Sequence, residues 1–224
     1  MRKKLYIAGA VVCGLLILAA AGLVLMYKGA QQVPEEYRHA VQIEQDVLRE
    51  ANDEMLQQAT ALASDVAKEG SWQALFTDRQ INGWLAVDLP ENHSLILPES
   101  MSDPRVAISP EGVKLYCRFH HKSIDSVVTL TVEPYMAEPN VLAFRIHRIR
   151  AGIIPVPLDK VLSAISKAAL KAEMPLRWRQ AEGDPVALLT IPQPRDENDK
   201  IVEIESLRLG EGEIYLSGKT QRRE

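Results

Sequence analysis

Hydrophobic and polar positions change period along the chain, and each change predicts a different element. Leu5 to Tyr27 is an apolar run without a single charge, preceded by Arg2, Lys3 and Lys4 and followed by Lys28. At about 1.5 Å of helical rise per residue, such a run is long enough to cross a bilayer core of roughly 30 Å. The one-sided basic flank predicts a cytoplasmic N-terminus with the rest of the chain on the far side. The competing reading is a cleaved secretory signal, whose apolar region is usually about 7–15 residues and ends at a small-x-small site. Ala19, Ala20, Ala21 and Gly22 mimic that site, but Leu23-Val24-Leu25-Met26 prolongs the run. The expectation is therefore an uncleaved, single-pass signal-anchor in the plasma (inner) membrane.

From Glu35 to about Lys68 no glycine or proline interrupts the chain. Val41, Val47, Leu48, Met55, Leu62 and Val66 recur near helical spacing among Glu44, Asp46, Glu50, Asp53 and Glu54. That period predicts one long amphipathic helix, serving as a stalk, a scaffold on a sheet or one wall of a groove. Gly70-Ser71 breaks it. Thr77 is a good N-cap with Gln80 placed three residues on, as in a capping box, so a short helix begins there. Ile81, Trp84 and Leu85 line one of its faces, Phe76 staples its start, and Leu89-Pro90 ends it. The stretch through Pro104 has the composition of a surface loop.

Beyond Arg105 the period is two. Short strands are predicted at 105–108, 113–119, 124–133 and 141–150, separated by turns at Ser109-Pro110-Glu111-Gly112 and Glu138-Pro139-Asn140. In 124–133, Val128, Leu130 and Val132 share one face while Val127, Thr129 and Thr131 share the other. Gly152-Ile153-Ile154-Pro155-Val156-Pro157 is a rigid link into a helix at 158–172, whose stripe is Leu158, Val161, Leu162, Ile165 and Ala169. Met174-Pro175 stops that helix, and further strands follow near 185–191, 201–209 and 213–219. The predicted class is α+β: an N-terminal transmembrane helix, a long amphipathic helix, then a meandering antiparallel sheet packed against one or two helices. The corresponding segments are a cytoplasmic tip and anchor at 1–28, a membrane-proximal helix at 29–70 and an exported domain at 71–224.

Composition narrows the function classes. Of 26 basic and 30 acidic side chains, the first 28 residues hold four basic and no acidic ones, which leaves the remainder clearly acidic. Nothing in that balance favours nucleic acid. Cys13 and Cys117 are the only cysteines, and their placement predicts no disulfide; Cys117 reads as a small core residue beside Val113, Leu115 and Phe119. His120 and His121 are neighbours on a strand, so their side chains point to opposite faces and do not converge on a metal. Asp125, Glu133 and Asp159 are scattered carboxylates, with His147 approaching from another strand. No nucleophile motif, phosphate loop or dinucleotide fingerprint is present. The expectation is a protein that is not an enzyme, with no cofactor and no metal site.

Two segments resemble a known family. Phe76-Thr77-Asp78-Arg79-Gln80-Ile81-Asn82 resembles an "LT-[ED]-x-[EQ]-[LI]-N" pattern, and Gly152-Ile153-Ile154-Pro155-Val156-Pro157 resembles a "G-x-L-P-[LV]-P" pattern. In this order, with strands between them, they are similar to the YpmS-like family of single-span envelope proteins, a domain of unknown function with no catalytic residues to carry over. The layout is also similar to tubular lipid-binding modules. The functional expectation is a membrane-anchored extracytoplasmic domain that binds a lipid or another hydrophobic ligand in the cell envelope. Trp84, Leu85, Leu130, Phe144 and Ile154 are its candidate ligand-binding residues. The alternative is an envelope scaffold contacting other membrane proteins.

Overall fold

The computed structural model describes residues 28–93, 97–122, 124–171, 176–191 and 200–222. Helices α1 (Glu35–Val41) and α2 (Gln45–Val66) lead into strand β1 (Gly70–Thr77), followed by α3 (Asp78–Ala86) and α4 (Asp88–Asn92). Strands β2 (Met101–Ser109), β3 (Gly112–His121), β4 (Ile124–Glu138), β5 (Val141–Ala151) and the short β6 (Ile154–Pro155) come next. Helix α5 (Leu158–Lys171) then precedes β7 (Leu176–Ala181), β8 (Asp184–Thr190), β9 (Lys200–Gly210) and β10 (Glu213–Arg222).

Among the described residues the strands make two antiparallel sheets rather than one. The smaller is ordered β1-β10-β9; the larger has seven strands, ordered β2-β3-β4-β5-β8-β7, with β6 paired to β5. The expected fold class is corrected here, because the molecule is mainly antiparallel sheet. The single long amphipathic helix is also absent: α1 and α2 are separated at Gln42–Glu44. Of the predicted stripe only Leu48 is buried on α2, together with Ala51 and Asn52, while Val41 and Val47 are exposed.

No helix among the described residues is long and apolar enough to cross a membrane. The longest, α2, carries Asp46, Arg49, Glu50, Asp53, Glu54 and Asp65 along its length, and charges of that density are expelled from hydrocarbon. The transmembrane, single-pass, signal-anchor placement in the plasma membrane is corrected accordingly, and the run 5–27 on which it rested lies outside the described residues.

Several sequence features acquire partners from afar. Thr77 and Gln80 close the capping box in both directions: the Gln80 N–H donates to Thr77 Oγ1 at 3.2 Å, and the Thr77 N–H donates to Gln80 Oε1 at 3.0 Å. Asp78, the next residue, sits at a three-way joint. Its N–H donates to Gly212 O at 2.8 Å in the β9–β10 turn, and the Gly212 N–H donates to Ile108 O at 3.0 Å in β2. Burial pushes the Asp78 carboxyl up from its ordinary value, against hydrogen bonds from the backbone N–H groups of Arg79 and Ile108. This joint ties the small sheet to the large one.

Asn82 works like one residue of a strand pair. Its Nδ2 donates to Val106 O at 2.8 Å, and its Oδ1 accepts from the Val106 N–H at 2.7 Å, with the side chain buried. A two-sided amide is one of few side chains able to satisfy a backbone donor and acceptor at once.

The main core fills the space between the large sheet and its covering elements. Val106, Ile108, Val113, Val132, Ile146 and Ile149 are its buried members, met by Ile81 and Leu85 of α3, the stripe of α5, and Leu209 and Ile214 of the small sheet. A bulge in β5 makes this possible. Val132 pairs with Ile146 but Thr131 pairs with Arg148, so His147 is the extra residue. Ile146 and Ile149, three apart, therefore both face inward, which strict alternation forbids.

Candidate functional site

The large sheet has two unlike faces, and each presents a candidate site. Among the described residues, six buried apolar side chains of the inner face are met by twelve that are only partly buried. Leu115 belongs to the same layer, since it pairs with Val106 on one side and Leu130 on the other, yet it remains 39 % exposed. Helix α5 lies over this layer without sealing it: Leu158, Val161, Leu162 and Ile165 all pack on the core, and none is fully buried. Its polar attachment to the sheet is a latch in which Trp178 Nε1 donates to Ser166 Oγ at 2.8 Å, and Ser166 Oγ donates to Leu162 O at 2.9 Å.

The five sequence-derived candidates are dispersed relative to this layer. Leu85 and Leu130 lie in it. Trp84 is half-buried beside His93, ring centroids 5.8 Å apart. Phe144 lies further along β5, opposite Pro134 and Ala187. Ile154 is in β6 beneath Gly29, where a Cβ on that glycine would meet Ile154 Cδ1 at 3.0 Å. The contributions of Trp178 on β7 and Leu209 and Ile214 on the small sheet were not among the candidates; the alternation Leu176-Arg177-Trp178-Arg179 was the signal that marks β7 as a strand.

The outer face carries a cleft of about 540 Å³ between β3–β5 and the segment 32–36. The residues flanking that segment are held from several sides. The Ile153 N–H donates to Gly29 O at 3.1 Å, and Ser126 Oγ donates to Ala30 O at 2.5 Å. Tyr37, buried in α1, packs on Tyr116 with centroids 5.9 Å apart and donates to Asp103 O at 3.0 Å. Burial, reinforced by Asp103, pushes its phenol up to about 12. Arg105, also buried, donates through Nε to Ala40 O at 3.2 Å, placing a cation on the C-terminal carbonyls of α1.

Glu36 completes the attachment by accepting from Lys114 Nζ at 2.7 and 2.9 Å and from the Tyr116 hydroxyl. Lys114, then Tyr116, holds its carboxyl below the ordinary value. A depressed carboxylate pKa contributes stability that is present above the unfolded value, about 4.3, and lost as pH falls through the folded one. We expect the ring resonances of Tyr37 and Tyr116 to shift together below about pH 4 in the native protein. In Glu36→Gln that acid transition should vanish; its persistence would show that another group seats α1.

Among the described residues, several of the remaining chemistry-bearing side chains are engaged with one another or with the backbone. His147 stands between two carboxylates, Nε2 3.0 Å from Glu133 and Nδ1 3.0 Å from Asp184. His121 stacks on Phe119, and Asp125 pairs with Arg118 at 2.8 Å. Cys117 donates to Ser102 O at 3.2 Å, and burial, then Asp103, pushes its thiol up to about 11, far from the thiolate a nucleophile requires. Among the described residues no group of three or more His, Cys, Asp or Glu could hold a metal ion.

No family model matches the chain, and no curated protein or solved structure matches it either.

Proposed function

We propose that this protein is a non-catalytic binding module for a long-chain lipid, taken up in the apolar layer between α5 and the inner face of the large sheet. The observation that carries the reading is the incomplete burial of α5: a helix with a continuous apolar stripe lies on an apolar sheet, yet none of its described side chains is fully buried. A helix that serves only as scaffold normally buries such a stripe outright. Its 14 residues span about 21 Å, longer than the roughly 15 Å that an acyl chain covers in half a bilayer core. The Trp178–Ser166 latch gives α5 one polar hinge point, so the helix can lift while staying in register. The proposal keeps the resemblance to the YpmS-like family, with the first motif forming α3 on one side of the layer and the second leading into α5 on the other.

The test uses the full chain. Native mass spectrometry should find a co-purifying lipid, and the fluorescent fatty acid cis-parinaric acid should exchange into the layer. Leu130→Trp and Ile165→Trp fill the space and should reduce uptake at least about tenfold, a difference of roughly 1.4 kcal/mol. An empty protein that takes up no fatty acid, or one whose uptake ignores both substitutions, overturns the reading; capture of a protein partner by cross-linking would then support a scaffold.

A further inference from the structure

We propose that the outer cleft beneath residues 32–36 is a second binding site, one for a phosphoryl group held by Arg148, Arg150 and the hydroxyl of Thr129. Strand register builds its floor as a lattice of two rows: Lys114 pairs with Thr131 and Thr131 with Arg148, while Tyr116 pairs with Thr129 and Thr129 with Arg150. All six residues line the cleft. Cross-strand neighbours stand about 4.5–5.5 Å apart at Cβ, and alternate residues on a strand about 6.6 Å apart. Two guanidinium forks at that spacing, with a hydroxyl between the strands, match the several acceptor oxygens of one tetrahedral anion.

The occupancy of these groups differs across the cleft. Lys114 and Tyr116 are committed to Glu36. Arg148 and Arg150 have no ion pair and no side-chain hydrogen bond among the described residues, whereas Arg79, Arg118 and Arg145 each face a carboxylate. Thr129 Oγ1 is buried with no hydrogen-bond partner, a state that native proteins seldom leave uncompensated. Glu35 at the rim is the one opposing charge not used by the floor, and it lies 3.8 Å from His39. Val33, Pro34 and Ile153 give the opening an apolar edge, so the phosphoryl group can arrive attached to a less polar moiety.

The phosphoryl group can come from a free metabolite or from a lipid headgroup, and two probes separate these sources. The full chain is titrated calorimetrically with inorganic pyrophosphate, then presented with phosphatidylcholine vesicles with and without phosphatidic acid. Pyrophosphate should bind with a Kd below about 1 mM, more weakly as salt rises. Arg148→Gln with Arg150→Gln should weaken it at least about tenfold, and Thr129→Val several-fold, while Arg177→Gln on β7 leaves it unchanged. Both arginines are exposed, so the variants should melt with the native protein. Because the cleft and the apolar layer lie on opposite faces, fatty-acid uptake should continue in them. Binding restricted to phosphatidic-acid vesicles and lost in the arginine variants assigns the phosphoryl group to a lipid. Failure of both probes to bind, or binding indifferent to both arginines, overturns the site.

Discussion

Gly83→Ala should destabilise the protein, although glycine to alanine in an exposed helix stabilises by about 1 kcal/mol. The reversal of sign comes from the crossing of α3 over α2. A Cβ placed on Gly83 would stand 2.5 Å from the Asn52 nitrogen, 2.7 Å from the Ala51 carbonyl carbon and 2.8 Å from Ala51 Cβ. Two of these are backbone atoms of a helix and cannot rotate aside, so the helices must separate. Separation strains the neighbouring Asn82, whose amide satisfies both backbone groups of Val106 in a buried setting. Overpacking generally costs about 1–3 kcal/mol, and contact with backbone belongs at the top of that range. Gly83→Val should add to it, for a total of about 3 kcal/mol or more and a melting temperature lower by roughly 6–12 °C. Thermal melts of the two variants decide the matter: a stabilised Gly83→Ala would mean that α3 does not cross α2 at this glycine.

That crossing also illustrates which parts of the fold can be read from the chain. The capping box at Thr77 and Gln80 is local, three residues wide, and is legible as it stands. Asn82 and Gly83 follow within the same motif, but the reasons for them lie in β2 and α2, so the sequence shows the residues without their partners. Strand β1 was legible in principle: Trp72, Ala74 and Phe76 alternate inward with Ser71, Gln73 and Leu75 outward. Its position between two helices hides that period, and its partner β10 begins more than a hundred residues later, which is why the division into two sheets is invisible locally. The break at Gln42–Glu44 has no glycine or proline to announce it. Tertiary anchors impose it instead, because Tyr37 and Arg105 seat α1 on the outer face while Ala51 follows the crossing with α3.

The candidate sites divide in the same way. Apolar alternation on β4 points to the inner layer, and Leu130 is found there. The outer cleft is not legible locally because Thr129, Thr131, Arg148 and Arg150 occupy polar positions of strands, which a period of two assigns to solvent. What gathers them is register, and register depends on the β5 bulge at His147: without it, Arg148 and Thr131 would not be paired. A one-residue change in pairing moves every later side chain to the other face. The carboxylates on His147 therefore stand beside the residue that sets which way both arginines point.

Gly152 is the second position where a methyl group should have a large effect, and it joins the second sequence motif to the cleft. Its φ is +57, in the left-handed region, and a Cβ there would strike Gly29 O and lie 2.6 Å from Ala30 O. Those two carbonyls are the ones that Ile153 and Ser126 bond to hold residues 29–30 in place. Gly183 provides the control, with a φ of +91 and nothing within 4 Å of its Cβ position. Gly183→Ala should therefore show backbone strain alone, about 1–2 kcal/mol. Gly152→Ala adds the collision, and we expect at least about 2 kcal/mol beyond the control, together with new proteolytic cleavage near residues 30–34 and loss of pyrophosphate binding. Equal losses in the two variants, with 30–34 still protected, would show that the segment is not seated on Gly152 and that the cleft has no roof.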